Sequence, residues 1–210
     1  MDLIVYVIPG IALGLLVISI ADHYEQKVAA RKSDLRKQQK HRDLSFLEQQ
    51  KRSLKKVLNS QKVEAYHFLI ENLIKIERVD LELMKSMNES FHRLLFKDKE
   101  APPKFKINYP EGLDLKFTVP QAFYIGQFLI ESAHNAIKHS SADFYIHLVT
   151  YENGLISIVC HDNGIGYDSA TVHGGEGLIR MRMSAEFLNC KLVTSSVHGV
   201  GTKIFLECTT

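Results

Sequence analysis

The pattern of apolar and polar positions divides the chain into three parts. Leu3 to Ile20 is an apolar run of 18 residues without a charged side chain, just long enough to cross the core of a bilayer. The stretch from Ala21 to Lys97 contains no proline and no glycine, and it is rich in Lys, Glu, Gln and Leu, which is typical of long helices. The prolines within residues 100–103 form a linker, beyond which short alternating segments begin.

Residues 1–21 are predicted to form a transmembrane anchor. A secretory signal peptide is the alternative, but it would begin with basic residues and end at a small-residue cleavage site. This chain begins Met1-Asp2 and continues directly into Asp22-His23-Tyr24. Because residues 22–41 are basic, the positive-inside rule predicts a single-pass protein of the inner or plasma membrane, with its N-terminus outside and the rest in the cytoplasm. Anionic headgroups, and not nucleic acid, are the expected contact of the basic segment.

Residues 42–99 are predicted to form a helical hairpin that carries two apolar stripes. Its turn lies either at Asn59-Ser60 or within residues 77–80. Helices with no other core beside them usually bury such stripes against a second copy, so the hairpin predicts a homodimer built on a four-helix bundle. The first stripe is Leu44, Leu47, Leu54 and Leu58, and the second is Phe68, Leu73, Ile74, Leu81, Met84, Met87, Phe91, Leu94 and Leu95.

Charge and cysteine content add two restrictions. The formal net charge of +2 hides an uneven distribution, because the basic excess lies between residues 22 and 62. Cys160, Cys190 and Cys208 are few, odd in number and placed inside apolar runs. They are therefore predicted to be reduced core residues of a cytoplasmic domain, and neither a disulfide framework nor a metal site.

Residues 100–210 alternate between predicted strands and helices. A strand at 105–109 precedes a helix opened by Pro120, a hairpin turning at 152–154, a helix at 176–188 and a final hairpin turning at 198–199. This order predicts an α+β domain in which one mixed, largely antiparallel sheet is covered on one face by helices.

The candidate chemistry begins in the helical stretch 127–140, QFLIESAHNAIKHS. Glu131, Asn135 and Lys138 follow at i, i+4 and i+7, so they are expected to share one face. A carboxylate, a carboxamide and an amine on one face suit an anion with its metal. The amide oxygen of Asn135 is a hard ligand for Mg²⁺, which usually keeps several waters and shares phosphate oxygens. Taken alone, this face is more simply a solvated one.

Three glycine-containing segments follow: HDNGIGYD at 161–168, HGGEGL at 173–178 and GVGT at 199–202. Asp162 ends a predicted strand, and its carboxylate is a suitable acceptor for the amino group of adenine. The glycines of the second segment precede a helix, whose first amides favour phosphate. The hydroxyl of Thr202 is placed to support Asp162.

Together the four segments resemble the GHKL ATPase fold. ESAHNAIKHS resembles its N box, HDNGIGYD its first glycine box, GGEGLIRMRMSAEFLNCKL its second glycine box and GVGTKIFLE its closing strands. The short lid and the sequence pattern GEGLxxMxxxA are similar to those of the two-component sensor histidine kinases that partner NarL/LuxR-type response regulators. The resemblance covers about residues 104–208 and implies a Bergerat α/β sandwich at 100–210 that binds ATP and Mg²⁺.

The resemblance also implies a role for each residue of the site. Asn135 would bind Mg²⁺, and Glu131 would be the polarising carboxylate of catalysis. The nucleotide would further contact Lys138 and His139 at its phosphates, Asp162 and Thr202 at adenine, and Gly164, Gly166, Gly175, Gly177 and Leu178 around the pocket and lid.

The N-terminal half departs from the resemblance, because residues 22–99 contain no His-Asp or His-Glu pair of the kind that marks the phosphoacceptor. His41 stands at the expected distance before the linker and is the first candidate, and His67 is the second. The implied function is a membrane-anchored sensor histidine kinase that phosphorylates its own histidine and passes the phosphoryl group to a response-regulator aspartate. The alternatives are a catalytically degenerate ATP-binding regulator, a phosphatase-biased dimer and, third, an anti-sigma-type serine kinase.

Overall fold

The structure, a computed structural model, describes residues 3–55, 60–167 and 175–209. Its contacts divide the chain into two compact units, Met1–Ser45 and Phe46–Thr210. The first unit is the greater part of helix α1, Leu3–Lys55. From residue 22 to residue 42 every side chain of this helix is exposed except the half-buried Val28.

The predicted transmembrane anchor is wrong. Within residues 3–55, 60–167 and 175–209, no helix is long and apolar enough to span a bilayer. Helix α1 passes without a break from the apolar run into the basic segment. The predicted single-pass topology and membrane location are wrong with it.

Two further helices precede the sheet: α2, Ser60–Ile74, and α3, Leu81–Phe96. Helix α3 begins after Asp80, whose carboxylate accepts a hydrogen bond from the backbone N–H of Leu83 at 2.8 Å and so satisfies one of the free amides of the first turn. The break between the helices agrees with the second of the two predicted turns. The other predicted turn includes Asn59, which lies outside the described residues.

Most of the apolar stripe carried by α2 and α3 is buried inside the unit 46–210. Leu69, Leu73, Met84 and Phe91 are almost fully buried and belong to one continuous core with Phe128 of the later domain. Helices α2 and α3 therefore pack on the domain that follows them, and the dimeric four-helix bundle stays a prediction. Periodicity had identified which faces are buried, but it carries no information about the surface that covers them.

The sheet has five strands in the order β2-β4-β5-β7-β6. Strands β2 and β4 are parallel, and the other three pairs are antiparallel, as predicted for a mixed, largely antiparallel sheet. The strands are β2, Lys104–Asn108; β4, Phe144–Glu152; β5, Leu155–Asp162; β6, Lys191–Val197; and β7, Gly201–Thr209. A separate two-stranded ribbon joins β1, Val79–Asp80, to β3, Lys116–Phe117.

Two helices belong to the sheet: α4, Val119–Asn135, and α5, Glu176–Leu188. Helix α4 starts with a capping box, in which Thr118 and Gln121 each bond the other's backbone N–H, and with Pro120 in its first turn. It continues into a π-helical turn, Ala136–Ser140. Alternate residues of the central strands are buried, as expected for a sheet with one covered face: Tyr145, His147, Val149, Ile156, Ile158, Cys160, Ile204 and Leu206.

The prediction of three reduced cysteines is wrong for two of them. Cys190 and Cys208 form a disulfide, and only Cys160 is a free, buried thiol among the described residues. The register of the last hairpin, in which Lys191 faces Glu207, brings the adjacent Cys190 and Cys208 together. Their spacing in the sequence does not reveal this register, because the pairing of two strands is set by the turn and by burial.

Candidate functional site

One pocket of about 600 Å³ gathers most of the predicted site residues. It lies between the C-terminal end of α4, the ends of strands β5 and β7, and the N-terminus of α5. Segments far apart in the sequence meet there, and the volume is typical of small-molecule sites. The predicted residues that line it are Asn135, Lys138, His139, Asp162, Gly166, Gly175, Gly177, Leu178 and Thr202.

Asp162 forms one end of the pocket. It is the last residue of β5, it is buried, and its Oδ1 accepts the backbone N–H of Gly164 at 3.0 Å. Burial raises the pKa of this carboxyl, although the N–H groups of Gly164 and Thr202 act in the opposite direction. The hydroxyl of Thr202, predicted to support Asp162, lies 2.9 Å from the hydroxyl of Ser196.

Gly164 shapes the pocket without lining it. A Cβ added at Gly164 would lie 2.2 Å from both Cβ and the carbonyl oxygen of Ser140, so the strand loop and the π-helical turn meet at a distance that excludes any side chain. The next residue, Ile165, donates its N–H to the same carbonyl at 2.7 Å. Gly164 therefore fixes the distance between the two walls of the pocket.

The other end of the pocket is basic. His134, Lys138 and His139 line it, and so does Lys62 from α2. Burial lowers the pKa of His134 to about 4 and also lowers that of His139, and the ammonium groups of Lys62 and Lys138 act on both in the same direction. The two histidines are therefore neutral, and the ammonium groups of Lys62 and Lys138 are the cations that would attract an anionic ligand to this part of the pocket.

Asn135 lies at this basic end and fits the predicted metal ligand. A Cβ added at Gly177 would lie 3.1 Å from Oδ1 of Asn135 and 3.0 Å from Oε2 of Glu131, so the first turn of α5 approaches the amide as closely as only glycine permits. No cluster of three metal-binding side chains occurs among the described residues. A single amide oxygen is nevertheless a suitable protein ligand for Mg²⁺, which usually keeps its waters and binds phosphate.

Glu131 lies on the same side of α4 as Asn135, since a Cβ added at Gly177 would lie close to both side chains. Its carboxylate is fully buried in what we call the Glu131 cluster: Glu131, Lys62, Tyr66 and Arg180. Lys62 Nζ donates to Oε2 at 2.8 Å, while Tyr66 Oη and Arg180 Nε donate to Oε1 at 2.9 and 3.0 Å. Helix α4 ends at Asn135, and the wider π-helical turn changes the direction of Lys138 relative to Glu131.

A second buried group, the Ser132 cluster, consists of Ser132, Asn88, Tyr145, His147 and Cys160. Ser132 Oγ lies 2.9 Å from Tyr145 Oη, 3.2 Å from His147 Nε2 and 3.3 Å from Cys160 Sγ. His147 Nε2 also bonds Tyr145 Oη, and its Nδ1 lies 2.9 Å from Asn88 Oδ1. Because an amide oxygen only accepts, Nδ1 is the protonated nitrogen and Nε2 accepts.

Lys62, Tyr66 and Arg180 were missed by sequence reasoning. Lys62 and Tyr66 stand four residues apart on α2, which places them on one helix face, but 69 residues separate Lys62 from Glu131. A polar pair within an otherwise apolar face was the only local signal.

The candidate phosphoacceptors differ in their surroundings. His41 is an exposed residue of the first unit, and His67 is half-buried on α2 and does not line the described pocket. His92 is fully enclosed, stacks on Phe105 and has no hydrogen-bond partner on either ring nitrogen among the described residues. Residues 168–174, which include the predicted lid, lie outside the described residues.

Comparison with solved structures shows that the fold is that of histidine kinase catalytic domains. The histidine kinase domain of the blue-light-activated histidine kinase EL346 of Erythrobacter litoralis superimposes with a TM-score of 0.61 at 16% identity, over 82% of this chain and 91% of that one. A longer structure of the same kinase gives 0.57 at 18% identity, over 71% of this chain and 48% of that one. The catalytic domain of the histidine kinase ThkA gives 0.50 at 16% identity, over 63% and 94%.

These similarities confirm the predicted α+β fold. No protein-family model matches the sequence, and no curated protein does either. At identities of 16–18% the likeness is one of fold, so the chemistry must be argued from the residues of this chain.

Proposed function

We propose that residues 46–210 bind Mg·ATP in the pocket between α4, the strand ends and α5. One observation carries this proposal: nine residues predicted from four separate segments line a single pocket of about 600 Å³. One end offers a buried carboxylate, and the other offers basic side chains beside an amide oxygen. That polarity matches a molecule with an amino-bearing base at one end and a polyphosphate at the other.

Each contact follows from the chemistry of the residue. Asp162 accepts a hydrogen bond from the adenine amino group. Because the carboxylate is buried, leaving it without a donor costs free energy, and this cost makes the contact selective for a base with an amino group. Asn135 contributes its Oδ1 to Mg²⁺, which would bridge and neutralise phosphate oxygens when bound. Lys138 and His139 contact the phosphates, and the N-terminus of α5 presents free amides to them.

We further propose that the chain is a histidine kinase acting as a homodimer. A histidine nitrogen, His41 first and His67 second, would attack the γ-phosphorus as the bond to the β–γ bridging oxygen breaks and ADP leaves. The phosphoryl group would then pass to an aspartate of a NarL/LuxR-type response regulator. Glu131 would act by positioning, because its carboxylate is buried beneath three donors and does not face the pocket.

The second candidate is a nucleotide-binding regulator that transfers no phosphate. The engagement of Glu131 with Lys62 and Arg180 favours it, since the carboxylate expected to polarise the acceptor is held by two cations. The absence of a His-Asp or His-Glu pair from residues 22–99 points the same way.

Titration calorimetry on the full chain tests nucleotide binding. Asp162→Asn is expected to weaken Mg·ATP by about 1–3 kcal/mol, which is about 5-fold to 150-fold. The matched control is Asp143→Asn, an exposed aspartate whose replacement should leave affinity unchanged. Wild-type protein that takes up no ATP at millimolar nucleotide would refute the proposal.

Incubation with γ-labelled ATP separates the two candidates. A kinase gives label that is lost in acid and kept in base, and His41→Gln should remove it while His67→Gln should not. Label that survives both substitutions would show that the acceptor lies elsewhere. Protein that binds ATP but acquires no label identifies the regulator.

A further inference from the structure

We infer that Lys62 of helix α2 binds the terminal phosphate of the nucleotide, so that α2 supplies a ligand-binding residue from outside the catalytic fold. This inference rests on the proposed ATP binding. It assigns a contact that neither the motifs nor the comparisons point to, because Lys62 precedes the linker at residues 100–103 and lies outside the stretch that resembles GHKL ATPases.

The position of Lys62 is the first argument. It is a buried residue, only 7% exposed, and it lines the same pocket as Asn135 and Lys138. A lysine is almost never buried unless it is paired, and its ammonium group has three donors. Within the described part of the chain its hydrogen bonds use one of them, to Glu131 Oε2 at 2.8 Å, so two remain for a ligand.

The neighbourhood of Asn135 is the second argument. The point occupied by a Cβ on Gly177 would lie 3.0 Å from Glu131 Oε2 and 3.1 Å from Asn135 Oδ1, so the carboxylate that holds Lys62 is next to the amide that would hold Mg²⁺. In phosphoryl-transfer sites the metal bridges the β- and γ-phosphates. A lysine beside the metal ligand therefore lies at the terminal phosphates, away from Asp162.

The charge at this end is the third argument. The ammonium groups of Lys62 and Lys138 both act on His134 and His139, which line the same part of the pocket. Glu131 is shared between Lys62 and Arg180, and Arg180 also pairs with Glu176 at 2.9 Å. Lys138, which also lines the pocket, has no ion pair within the described residues, so the ammonium groups at this end favour a triphosphate over the less charged diphosphate.

The contact would also make the stability of α2 depend on which nucleotide is bound. Tyr66, one turn after Lys62, donates to the same carboxylate, and the inward face of α2 is buried against α4. A phosphate that binds Lys62 adds a link between α2 and the pocket, and loss of the γ-phosphate removes it. The amides of α2 should therefore exchange more slowly with ATP than with ADP.

Paired affinities for Mg·ATP and Mg·ADP test the inference, measured on the full chain by calorimetry. Lys62→Met should weaken ATP about tenfold or more, as for a hydrogen bond to a charged group, and should weaken ADP less than about threefold. Lys97→Met is the matched control, because Lys97 pairs with Glu64 at the surface and should change neither affinity.

The outcomes separate this inference from the proposed function. If the wild type binds both nucleotides and Lys62→Met weakens both equally, or neither, the inference fails while ATP binding stands. If the wild type binds no nucleotide, both fail. Should Lys62→Met not fold because the buried Glu131 loses one of its two cations, Glu131→Gln is compared with Glu131→Gln/Lys62→Met. The same selective loss of ATP in the double variant supports the contact, and equal affinities overturn it.

Discussion

Glu131 and Ser132 are consecutive residues of α4, yet their side chains lie in two different buried clusters. Glu131 turns toward α2 and α5 and is held by charged partners. Ser132 turns toward the sheet and α3 and is held by neutral ones. The two clusters lie on the same helix and are similarly buried, so we expect differences in their contribution to stability to come from charge.

In the Glu131 cluster the buried negative charge of Glu131 requires that its hydrogen-bond partners are buried with it. A carboxylate away from water is stabilised only if opposite charges and hydrogen bonds replace the solvent, and Lys62, Tyr66 and Arg180 do so from two other helices. The cluster thereby ties α2 and α5 to the end of the pocket. Burial, and next to it the Glu131 carboxylate, raises the pKa of Tyr66 well above its ordinary value, so its hydroxyl remains a donor.

In the Ser132 cluster every group is kept neutral. Burial lowers the pKa of His147 to about 3 and raises that of Cys160 to about 12, and it also raises the pKa of Tyr145. Neutral groups lose less on leaving water than charged ones, so this cluster needs only hydrogen bonds. It fastens α3 and α4 to the sheet beneath the pocket, because Ser132, Tyr145 and Cys160 also line the pocket.

The largest effect is expected for Glu131→Ala. Removing the carboxylate leaves the buried Lys62 without its partner and leaves Arg180 with Glu176 alone, which costs about 3–5 kcal/mol of stability. Urea unfolding followed by circular dichroism measures the loss. Glu64→Ala, at an exposed glutamate on α2, is the control. A loss below about 1 kcal/mol for Glu131→Ala, in the range of surface pairs, would mean that the cluster carries no buried charge.

A smaller loss is expected for Ser132→Ala. Tyr145, His147 and Cys160 lose a shared partner, but no charge is left unpaired, so the cost is about 1–3 kcal/mol. Ser195→Ala, at an exposed position of β6, should leave the urea midpoint unchanged. If Ser132→Ala costs as much as Glu131→Ala, the distinction between charged and neutral clusters does not hold.

The same contrast explains how much the sequence could predict. Short segments carry Asn135, Asp162 and the glycines, and the residue types of these segments indicate a nucleotide site. Their presence in one pocket could therefore be predicted. The partners of Glu131 could not be predicted, because the packing of α2 on α4 depends on contacts between residues that are about 65–69 positions apart in the sequence. The Cys190–Cys208 disulfide depends likewise on the register of two strands. The apolar run at the N-terminus was mistaken for an anchor because its 18 residues are close to the minimum length of a membrane-spanning helix.

Acid is expected to destabilise the Ser132 cluster through His147. The unfolded chain has an ordinary histidine pKa of about 6.5, while the folded value is about 3, so below pH 6.5 the unfolded state binds a proton that the native state does not. Stability therefore falls as pH decreases from about 6.5 toward 3, by up to about 1.4 kcal/mol per pH unit for this group. His92 and His134, whose pKa values burial also lowers, add to the slope in the same direction.

Urea unfolding between pH 7 and pH 5 measures this slope. His147→Gln should make it shallower by about one proton relative to the wild type, and His198→Gln, at an exposed turn, should leave it unchanged. An unchanged slope in His147→Gln would mean that His147 is charged in the native state.

The smallest effect is expected for Lys97→Met. Lys97 Nζ lies 2.6 Å from Glu64 Oε1, and the two side chains are 46% and 49% exposed. The pair joins α3 to α2 with a geometry as close as that of Lys62 and Glu131, which are 8% and 0% exposed, so only burial distinguishes the two. Water solvates both partners when the surface pair is broken, and salt screens it when it is formed. The urea midpoint of Lys97→Met should therefore equal that of the wild type within error, at low salt and at high salt. A loss comparable to that of Glu131→Ala would show that distance, and not burial, decides the strength of these pairs.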